Sequence, residues 1–395
     1  MNVAPTIRPR IRGIDTVRGI IMLIMTLDHT RDFLHFQGPQ YAPLNMATTT
    51  EILFFTRWIT HFCAPTFVLL SGVSAWLAGQ KRSRGELVGF LFKRGIWLIL
   101  TDLVVISLLF SLDPLYHSLV LEVLWAIGFG MILLALLVRL GASLALIGGL
   151  GFLLVFGHNL LDGMRLPGNG VARTLLTLLL TGRGATIPID SHHMISLLYA
   201  ALPWSGVLLI GYLFGSMYKP DFDAHRRKKV LLSAGCCLIG LFIVLRFING
   251  YGDPFPWSTQ RNASHTLLSF LNATKQPPSL VFLSMTLGPV LVLLALIEKA
   301  ENRVTAFCTV YGNVPYFYFI LHLVLLRLLY IGLLLTSGIG TQSDGNQLVW
   351  QAQGFGYPLW AVYGYWVFVI VAMYLPCQWY GGYKRTHRQW WLSYI

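Results

Sequence analysis

Residues 15–35 read DTVRGIIMLIMTLDHTRDFLH, and this stretch decides the fold class. Most of it is apolar and long enough to begin a membrane helix, since about 20 apolar residues span a bilayer. It nevertheless carries many ionisable side chains, namely Asp15, Arg18, Asp28, His29, Arg31, Asp32 and His35. Ionisable groups at membrane depth are costly and usually face a protein interior or a water-filled cavity. The stretch therefore predicts a membrane helix that lines a functional site.

Helical geometry relates the two ends of this stretch. A helix turns about 100° and rises about 1.5 Å per residue, so Arg18 and His29 lie on one face, about 16 Å apart along the axis. Asp28, Arg31 and Asp32 follow at helical spacing and form a second polar stripe. We expect one helix to present charge near one membrane surface and a histidine toward the other.

Composition extends this prediction to the whole chain of 395 residues. Hydrophobic residues make up 55% and charged residues only 11%, with a mean hydropathy of +0.63. A soluble domain would carry about 25% charged residues. We predict a single all-α domain over 1–395, a polytopic transmembrane helix bundle. Its ten helices are placed near 14–35, 53–79, 94–112, 117–138, 142–160, 194–217, 229–249, 279–298, 307–335 and 357–377, with an eleventh if the short apolar piece 171–181 also crosses.

The formal net charge of +13 is distributed unevenly between the predicted loops. Nineteen Lys and Arg residues fall on one side and six on the other. The positive-inside rule makes the first side cytoplasmic, with both termini inside and 250–278 as an external loop. Because the charge is a topology signal, we do not expect nucleic acid binding. We also expect no metal, since Asp190, His192 and His193 lack a zinc-ligand spacing and the cysteines show no paired spacing.

The polarity of the first helix suggests a long ligand with an anionic head. Coenzyme A has this shape, and arginine suits phosphate groups. We predict that Arg18 binds the phosphates of coenzyme A, together with Lys93 and Arg94 of the basic region after the second helix and with Arg57. The alternative is that Arg18 only pairs with Asp15, three residues before it.

His29 is the candidate for the chemistry at the other end of the helix. It could act as a general base or carry the acyl group itself. Asp28 or Asp32 could orient it or balance its charge. His61, four residues after Arg57 and just before Pro65, is a second candidate. The alternative for each histidine is a buried, satisfied core residue.

The external loop 250–278 combines Trp257, Arg261 and Lys275, which suits a polar, ring-shaped ligand. We predict that these residues bind the acceptor. The alternative is an ordered lid whose aromatic residues anchor at the membrane interface.

Several motifs give the chain a family resemblance. IDTVRGI at 14–20, the segment from Phe67 to Ser71-Gly72, LPWSGVLLIGY at 202–212 and KQPPSL at 275–280 resemble the membrane acetyltransferases related to heparan-α-glucosaminide N-acetyltransferase. The last two recur in that family's bacterial branch. The spacing of Arg18 and His29 is also similar to that of bacterial membrane O-acyltransferases of surface glycans.

The resemblance implies cytoplasmic acetyl-CoA, an external glycan amine or hydroxyl, and an essential histidine. In the glucosaminide enzyme that histidine lies in the loop after the first helix, but 36–51 contains none here, so His29, His35 and His61 are the substitutes. We predict a multi-pass acetyltransferase of the bacterial inner membrane, in contact with lipid and with a homodimer left open. The alternatives are a proton-coupled transporter, because charged helices also build proton relays, and a non-enzymatic scaffold.

Overall fold

The structure is a computed structural model that describes residues 11–36, 42–162, 170–181, 185–342, 349–387 and 389–393. Five basic residues used for the predicted topology lie outside the described residues, namely Arg8, Arg10, Arg165, Arg183 and Arg388.

Fifteen α-helices are found in the described part of the chain. In order they are α1 Arg12–Leu34, α2 Glu51–Thr60, α3 Cys63–Gly79, α4 Arg84–Thr101, α5 Ser107–Ser111, α6 Val123–Leu140, α7 Leu144–Gly157, α8 Gly170–Leu176, α9 Ala201–Gly215, α10 Ala224–Ile248, α11 Ala263–Leu271, α12 Leu280–Ile297, α13 Arg303–Gly312, α14 Pro315–Ser337 and α15 Leu359–Thr386.

Nine helical segments among the described residues are long and apolar enough to cross a membrane. This confirms the predicted polytopic helix bundle. Helix α1 has a comparable length of 23 residues but more charge, and it packs against α2, α3, α12, α13, α14 and α15. The piece predicted at 171–181 forms the short α8 and a π-helical turn. The cytoplasmic position of the termini stays a prediction.

Two predicted helices are interrupted, and a proline follows each break. The helix predicted at 53–79 divides into α2 and α3 around His61, and Pro65 lies in the first turn of α3. The helix predicted at 307–335 divides into α13 and α14, with Pro315 as the first residue of α14. Proline lacks an N–H, so it fits the first turn of a helix and favours a break just before it.

Three short strands correct the helix bounds predicted at 117–138 and 194–217. Strands β1 Ser118–Leu121, β2 Ala185–Pro188 and β3 Met194–Leu197 form a sheet in the order β1-β3-β2. Short apolar runs do not separate strand from helix by periodicity, which explains the error. Strands β1 and β3 are parallel and in register, so the residues that follow them reach the same edge.

Two further bounds differ from the predictions because of helix caps. Helix α4 begins ten residues before the predicted 94, where Ser83 and Glu86 form a capping box. The predicted external loop 250–278 contains α11, whose first turn is capped by the Asn262 side chain.

Glycine allows α1 and α13 to touch backbone to backbone. A Cβ atom on Gly19 would lie 1.8 Å from the carbonyl oxygen of Cys308, and one on Gly312 would lie 1.8 Å from that of Asp15. Such close approach is typical of small residues between membrane helices. The N-terminal half of α1 is therefore tightly packed.

Candidate active site

A polar cavity of about 310 Å³ lies beside the C-terminal half of α1, and we call it the His29 cavity. Helices α1, α2, α3 and α14, the ends of β1 and β3, and the segment after α11 all contribute to its wall. Its polar lining residues are Asp28, His29, Asp32, Arg57, Thr60, Glu122, Tyr199, Lys275 and Gln276. The apolar residues include Met25, Phe67, Phe110, Phe319 and Val349.

Ion pairs hold one side of this cavity. Asp28 accepts a hydrogen bond from the Arg57 guanidinium and pairs with Arg31 at 2.9 Å. Arg31 also donates to Asp32. Buried charges need such partners, because an isolated charge in a low-dielectric interior is strongly disfavoured. Asp28 thus joins α1 to α2 by an ion pair. Although it precedes His29 in the sequence, its side chain bonds to arginines.

His29 lies in an aromatic column between α1 and α14. Its Nδ1 atom is 2.8 Å from Nε2 of His322, and the two rings stack with centroids 5.1 Å apart. His322 Nδ1 is in turn 2.9 Å from the backbone carbonyl oxygen of Tyr318. Phe110 and Phe319 pack against the His29 ring in T-shaped geometry, with ring centroids 6.2 and 6.0 Å from its centroid. The imidazole is therefore held on three sides and faces the cavity on the fourth.

Glu122 is a cavity residue that sequence reasoning missed. It follows β1, and its backbone N–H donates to Oδ2 of the buried Asp102 at 2.7 Å, as does that of Trp125 at 2.9 Å. Burial raises the pKa of the Glu122 carboxyl to about 7, although the nearby Lys275 ammonium opposes that rise. The sequence signal that could have identified Glu122 was a single carboxylate within the apolar run 118–127.

Lys275 reaches the cavity from a segment that is fixed by Asp253. The Asp253 carboxylate accepts from the backbone N–H and hydroxyl of Thr274 at 2.8 and 2.7 Å, and from the Ser279 hydroxyl at 2.8 Å. The Lys275 ammonium lies 5.4 Å from the centroid of the Tyr199 ring. Burial and the Arg57 charge both lower the pKa of Lys275. Lys275 is the predicted acceptor residue that the structure brings to His29.

His61 lines a second cavity of about 350 Å³, which we call the loop cavity. Arg57, Lys275 and Gln276 line both cavities, so the two are neighbours. His61 is 1% exposed, and neither ring nitrogen has a hydrogen-bond partner among the described residues. Its ring meets the edge of Phe282, with centroids 5.4 Å apart.

Arg18 lies at the other end of α1 and does not line the His29 cavity. Its guanidinium bonds the Asp15 carboxylate at 2.8 Å, the Ser74 hydroxyl at 3.0 Å and the carbonyl oxygen of Gly312 at 3.4 Å. The side chain remains 16% exposed. This is the predicted alternative pairing.

The remaining predicted residues lie outside both cavities. Lys93 is exposed and Arg94 half-buried on α4. Trp257 donates from Nε1 to the carbonyl oxygen of Arg246 at 2.6 Å and packs on Phe270. Arg261 donates to the His265 ring within the loop. For these residues the roles in ligand binding stay predictions.

Metal ligands are not assembled in the part of the chain that the structure describes. No group of three or more His, Cys, Asp or Glu side chains there could hold a metal ion. Asp190 instead accepts hydrogen bonds from the backbone N–H groups of His192 and His193.

Comparison with known families adds an independent finding. A family model described as heparan-alpha-glucosaminide N-acetyltransferase, catalytic, matches residues 10–246. The matched range includes His29, Arg57, His61 and Glu122 and ends before Lys275 and His322. Comparison with curated proteins returned no match. Because the family model covers more than half of a chain that also carries nine membrane-length apolar helices in its described part, the chain belongs to the heparan-α-glucosaminide N-acetyltransferase catalytic family and is an integral membrane protein of the acetyltransferase class.

Proposed function

We propose that this protein moves an acetyl group from acetyl-CoA to an amine or hydroxyl of a saccharide-type acceptor across the membrane. The observation that carries the proposal is the position of His29. Its imidazole lies at the wall of a polar cavity, next to carboxylates and cations, and is held by His322, Phe110 and Phe319. A positioned histidine beside a cavity can take a proton from a reacting group.

The acyl donor would bind along α3 from the N-terminal side of α1. Ser74, Ser71 and Phe67 occupy one face of α3, because they are spaced by three and four residues, and all three are half-buried. Ser74 contacts Arg18 and Phe67 lines the His29 cavity. Arg18 would bind the coenzyme phosphates, and the thioester would lie about 10 Å further along α3, given 1.5 Å per residue.

The reaction follows from a basic imidazole nitrogen. His29 accepts the proton from the acceptor O–H or N–H as the acceptor oxygen or nitrogen attacks the thioester carbonyl carbon. The C–S bond then breaks, and the thiolate takes the proton back from His29. The products are the acetylated acceptor and free coenzyme A thiol. Lys275 would provide positive charge close to the oxyanion that forms in between.

The acceptor would approach through the loop cavity. Asn272, Thr274 and Gln276 provide amide and hydroxyl groups there, which suit the hydroxyl groups of a saccharide. Lys275 and Arg57 separate this cavity from His29. The expected setting is a bacterial inner membrane with the N-terminus of α1 cytoplasmic, where acetyl-CoA is available.

Transfer from labelled acetyl-CoA tests the proposal. Purified protein is mixed with labelled donor and a panel of amino- and neutral saccharides, and acetylated product is counted. We expect product from wild type and a loss of about 10²-fold or more in His29→Ala, which is the usual contribution of general acid–base catalysis, with donor binding retained. His61→Ala is the matched control.

Two results would contradict the assignment. If His29→Ala keeps wild-type turnover while His61→Ala is inactive, the chemistry belongs to His61. If wild type cleaves no thioester with any acceptor but moves protons in liposomes, the cavity serves transport.

A further inference from the structure

His322 is a buried histidine on α14 that the proposed chemistry does not itself use. It is 0% exposed and stacks between the rings of Tyr318 and His29, with both centroid distances at 5.1 Å. It lies one helical turn after Tyr318, so its side chain can reach the carbonyl oxygen of that residue. Its two nitrogens are both engaged, one with that carbonyl and one with His29.

The two hydrogen bonds decide which ring nitrogens of His322 and His29 carry a hydrogen. A carbonyl oxygen only accepts, so His322 Nδ1 must carry the hydrogen that it donates to Tyr318. In neutral His322, Nε2 is then the acceptor, and the hydrogen in the 2.8 Å contact must come from His29 Nδ1. Neutral His29 consequently has its lone pair on Nε2. The hydrogen bond found at the His29 ring among the described residues is the one at Nδ1.

We propose that His322 is a positioning residue that fixes His29 in the tautomer with a basic Nε2 facing the cavity. The inference rests on the proposed function, because it takes His29 as the general base. Without His322 the imidazole could place its hydrogen on Nε2, and that form cannot accept a proton from the acceptor. In histidines generally, the hydrogen bond made by one ring nitrogen decides which nitrogen carries the proton.

The same contact acts again when His29 becomes charged. As Nε2 takes the acceptor proton, the imidazolium still donates from Nδ1 to His322 Nε2. A hydrogen bond from a charged donor is roughly twice as strong as a neutral one. Because the column is buried, this gain is larger than it would be in water. His322 thus stabilises the state in which His29 holds the proton, without touching either substrate.

Aromatic neighbours also restrict rotation of the His29 ring. A flip of the ring by 180° about the Cβ–Cγ bond would put Cδ2 in the place of Nδ1 and break the hydrogen bond to His322. Phe110 and Phe319 approach the ring edge-on from other directions, and Phe110 also packs edge-on against Phe33. Arg327 fixes the Phe110 backbone by donating to the carbonyl oxygens of Leu109 and Phe110. The ring orientation and the tautomer are therefore both imposed by neighbours.

Two substitutions at one position separate hydrogen bonding from packing. His322→Phe keeps a stacked ring of similar size and removes the acceptor. His322→Gln removes the ring and keeps an acceptor oxygen. Tyr330→Phe on the same helix is the matched control, because it removes a buried hydroxyl that accepts a hydrogen bond from the Ala352 N–H, away from His29.

The expected result is a selective loss of turnover. His322→Phe should lower kcat by about 10²-fold, the scale of acid–base catalysis, with the KM for acetyl-CoA changed less than about threefold. His322→Gln should recover much of the activity, and Tyr330→Phe should resemble wild type. Nitrogen NMR of histidine-labelled protein should show His29 protonated on Nδ1 in wild type and on Nε2 in a measurable share of His322→Phe.

The outcomes distinguish this inference from the proposed function. Wild-type kcat in His322→Phe, with His29→Ala inactive, overturns the positioning role and leaves the base intact. Activity in His29→Ala overturns the proposed function itself. If His322→Phe does not fold, the NMR spectrum of wild type still decides, since a hydrogen on His29 Nε2 contradicts the inference.

Discussion

The two halves of α1 carry charge in different ways. In the N-terminal half, Arg18 is matched by Asp15, Ser74 and the Gly312 carbonyl, and the helix packs directly on α13 through Gly19. In the C-terminal half, a larger set of charges surrounds an open space of about 310 Å³. Both halves satisfy the rule that membrane charges are paired. The second half lines the His29 cavity with its histidine and two carboxylates.

This difference teaches how to interpret charged residues in membrane helices. The paired Arg18, next to the Gly19 contact, helps to hold helices together. Any role of Arg18 in ligand binding is additional to this structural role. In contrast, His29 and Lys275 line a cavity. No hydrogen bond between His29 Nε2 or Lys275 Nζ and a described residue is found.

The largest effect is expected from filling the tight helix contact. Gly19→Ala places a Cβ atom 1.8 Å from the Cys308 carbonyl oxygen, so α1 and α13 must separate. We expect little monodisperse protein in detergent by size-exclusion chromatography. Gly332→Ala, whose Cβ would meet nothing within 4 Å, is the control and should behave as wild type. A normal yield of Gly19→Ala would mean that this half is less tightly packed than we describe.

Removing the central carboxylate of the other half comes next. Asp28→Asn removes the ionic partner of the half-buried Arg57 and one of the two carboxylates that pair with the buried Arg31. Breaking a buried ion pair typically costs about 3–5 kcal/mol. We expect a clearly lower Tm in a thermal-shift assay. Asp15→Asn should lower Tm less, because Arg18 keeps Ser74 and the Gly312 carbonyl. Equal losses in both variants would remove the distinction between the two halves.

The pH dependence of stability reports on Glu122. Its pKa is raised from 4.5 to about 7, so between these values the folded protein holds a proton that the unfolded chain has released. Stability should therefore fall as pH rises through this window, by about 1.4 kcal/mol per pKa unit. The Tm of Glu122→Gln should be flatter from pH 4.5 to 7. The surface variant Glu301→Gln should keep the wild-type slope, and parallel curves for all three proteins would exclude this role of Glu122.

Donor binding tests whether Arg18 has more than its structural role. Arg18→Ala should raise the KM for acetyl-CoA about tenfold, or about 1.4 kcal/mol, with a smaller change in kcat, because an arginine on phosphates acts mainly in ground-state binding. Lys93→Ala should show a weaker effect of the same kind, since exposed charges are screened. A lower Tm with unchanged KM in Arg18→Ala would assign the residue to the Asp15 pair alone.

The smallest effect compares two cations of the predicted acceptor loop. Lys275→Gln should raise the KM for the acceptor by roughly three- to tenfold, because Lys275 lines both cavities. Arg261→Gln should change it less than about twofold, because Arg261 bonds His265 away from both. If Arg261→Gln has the larger effect, the acceptor lies along α11 and not in the loop cavity.

Much of the helical fold was predictable because it follows from local composition. Apolar runs of membrane length have one stable form in lipid, so their number and order could be predicted from the sequence. The bounds were less accurate where a cap or a proline decides them, as at Ser83 and Pro315. The small sheet was missed because four-residue apolar runs such as Ser118–Leu121 carry no distinctive period.

The membrane class and the candidacy of Arg18 and His29 were predictable without a structure, since they depend on composition and on spacing along one helix, and the family resemblance was visible in short motifs. The tertiary structure alone decided which distant residues meet. Glu122 follows a strand, Lys275 follows α11 and His322 lies 293 residues after His29, yet all three converge on one side chain or one cavity. Helix periodicity describes a single segment, whereas the hydrogen bond from His29 to His322 exists only because α1 packs against α14.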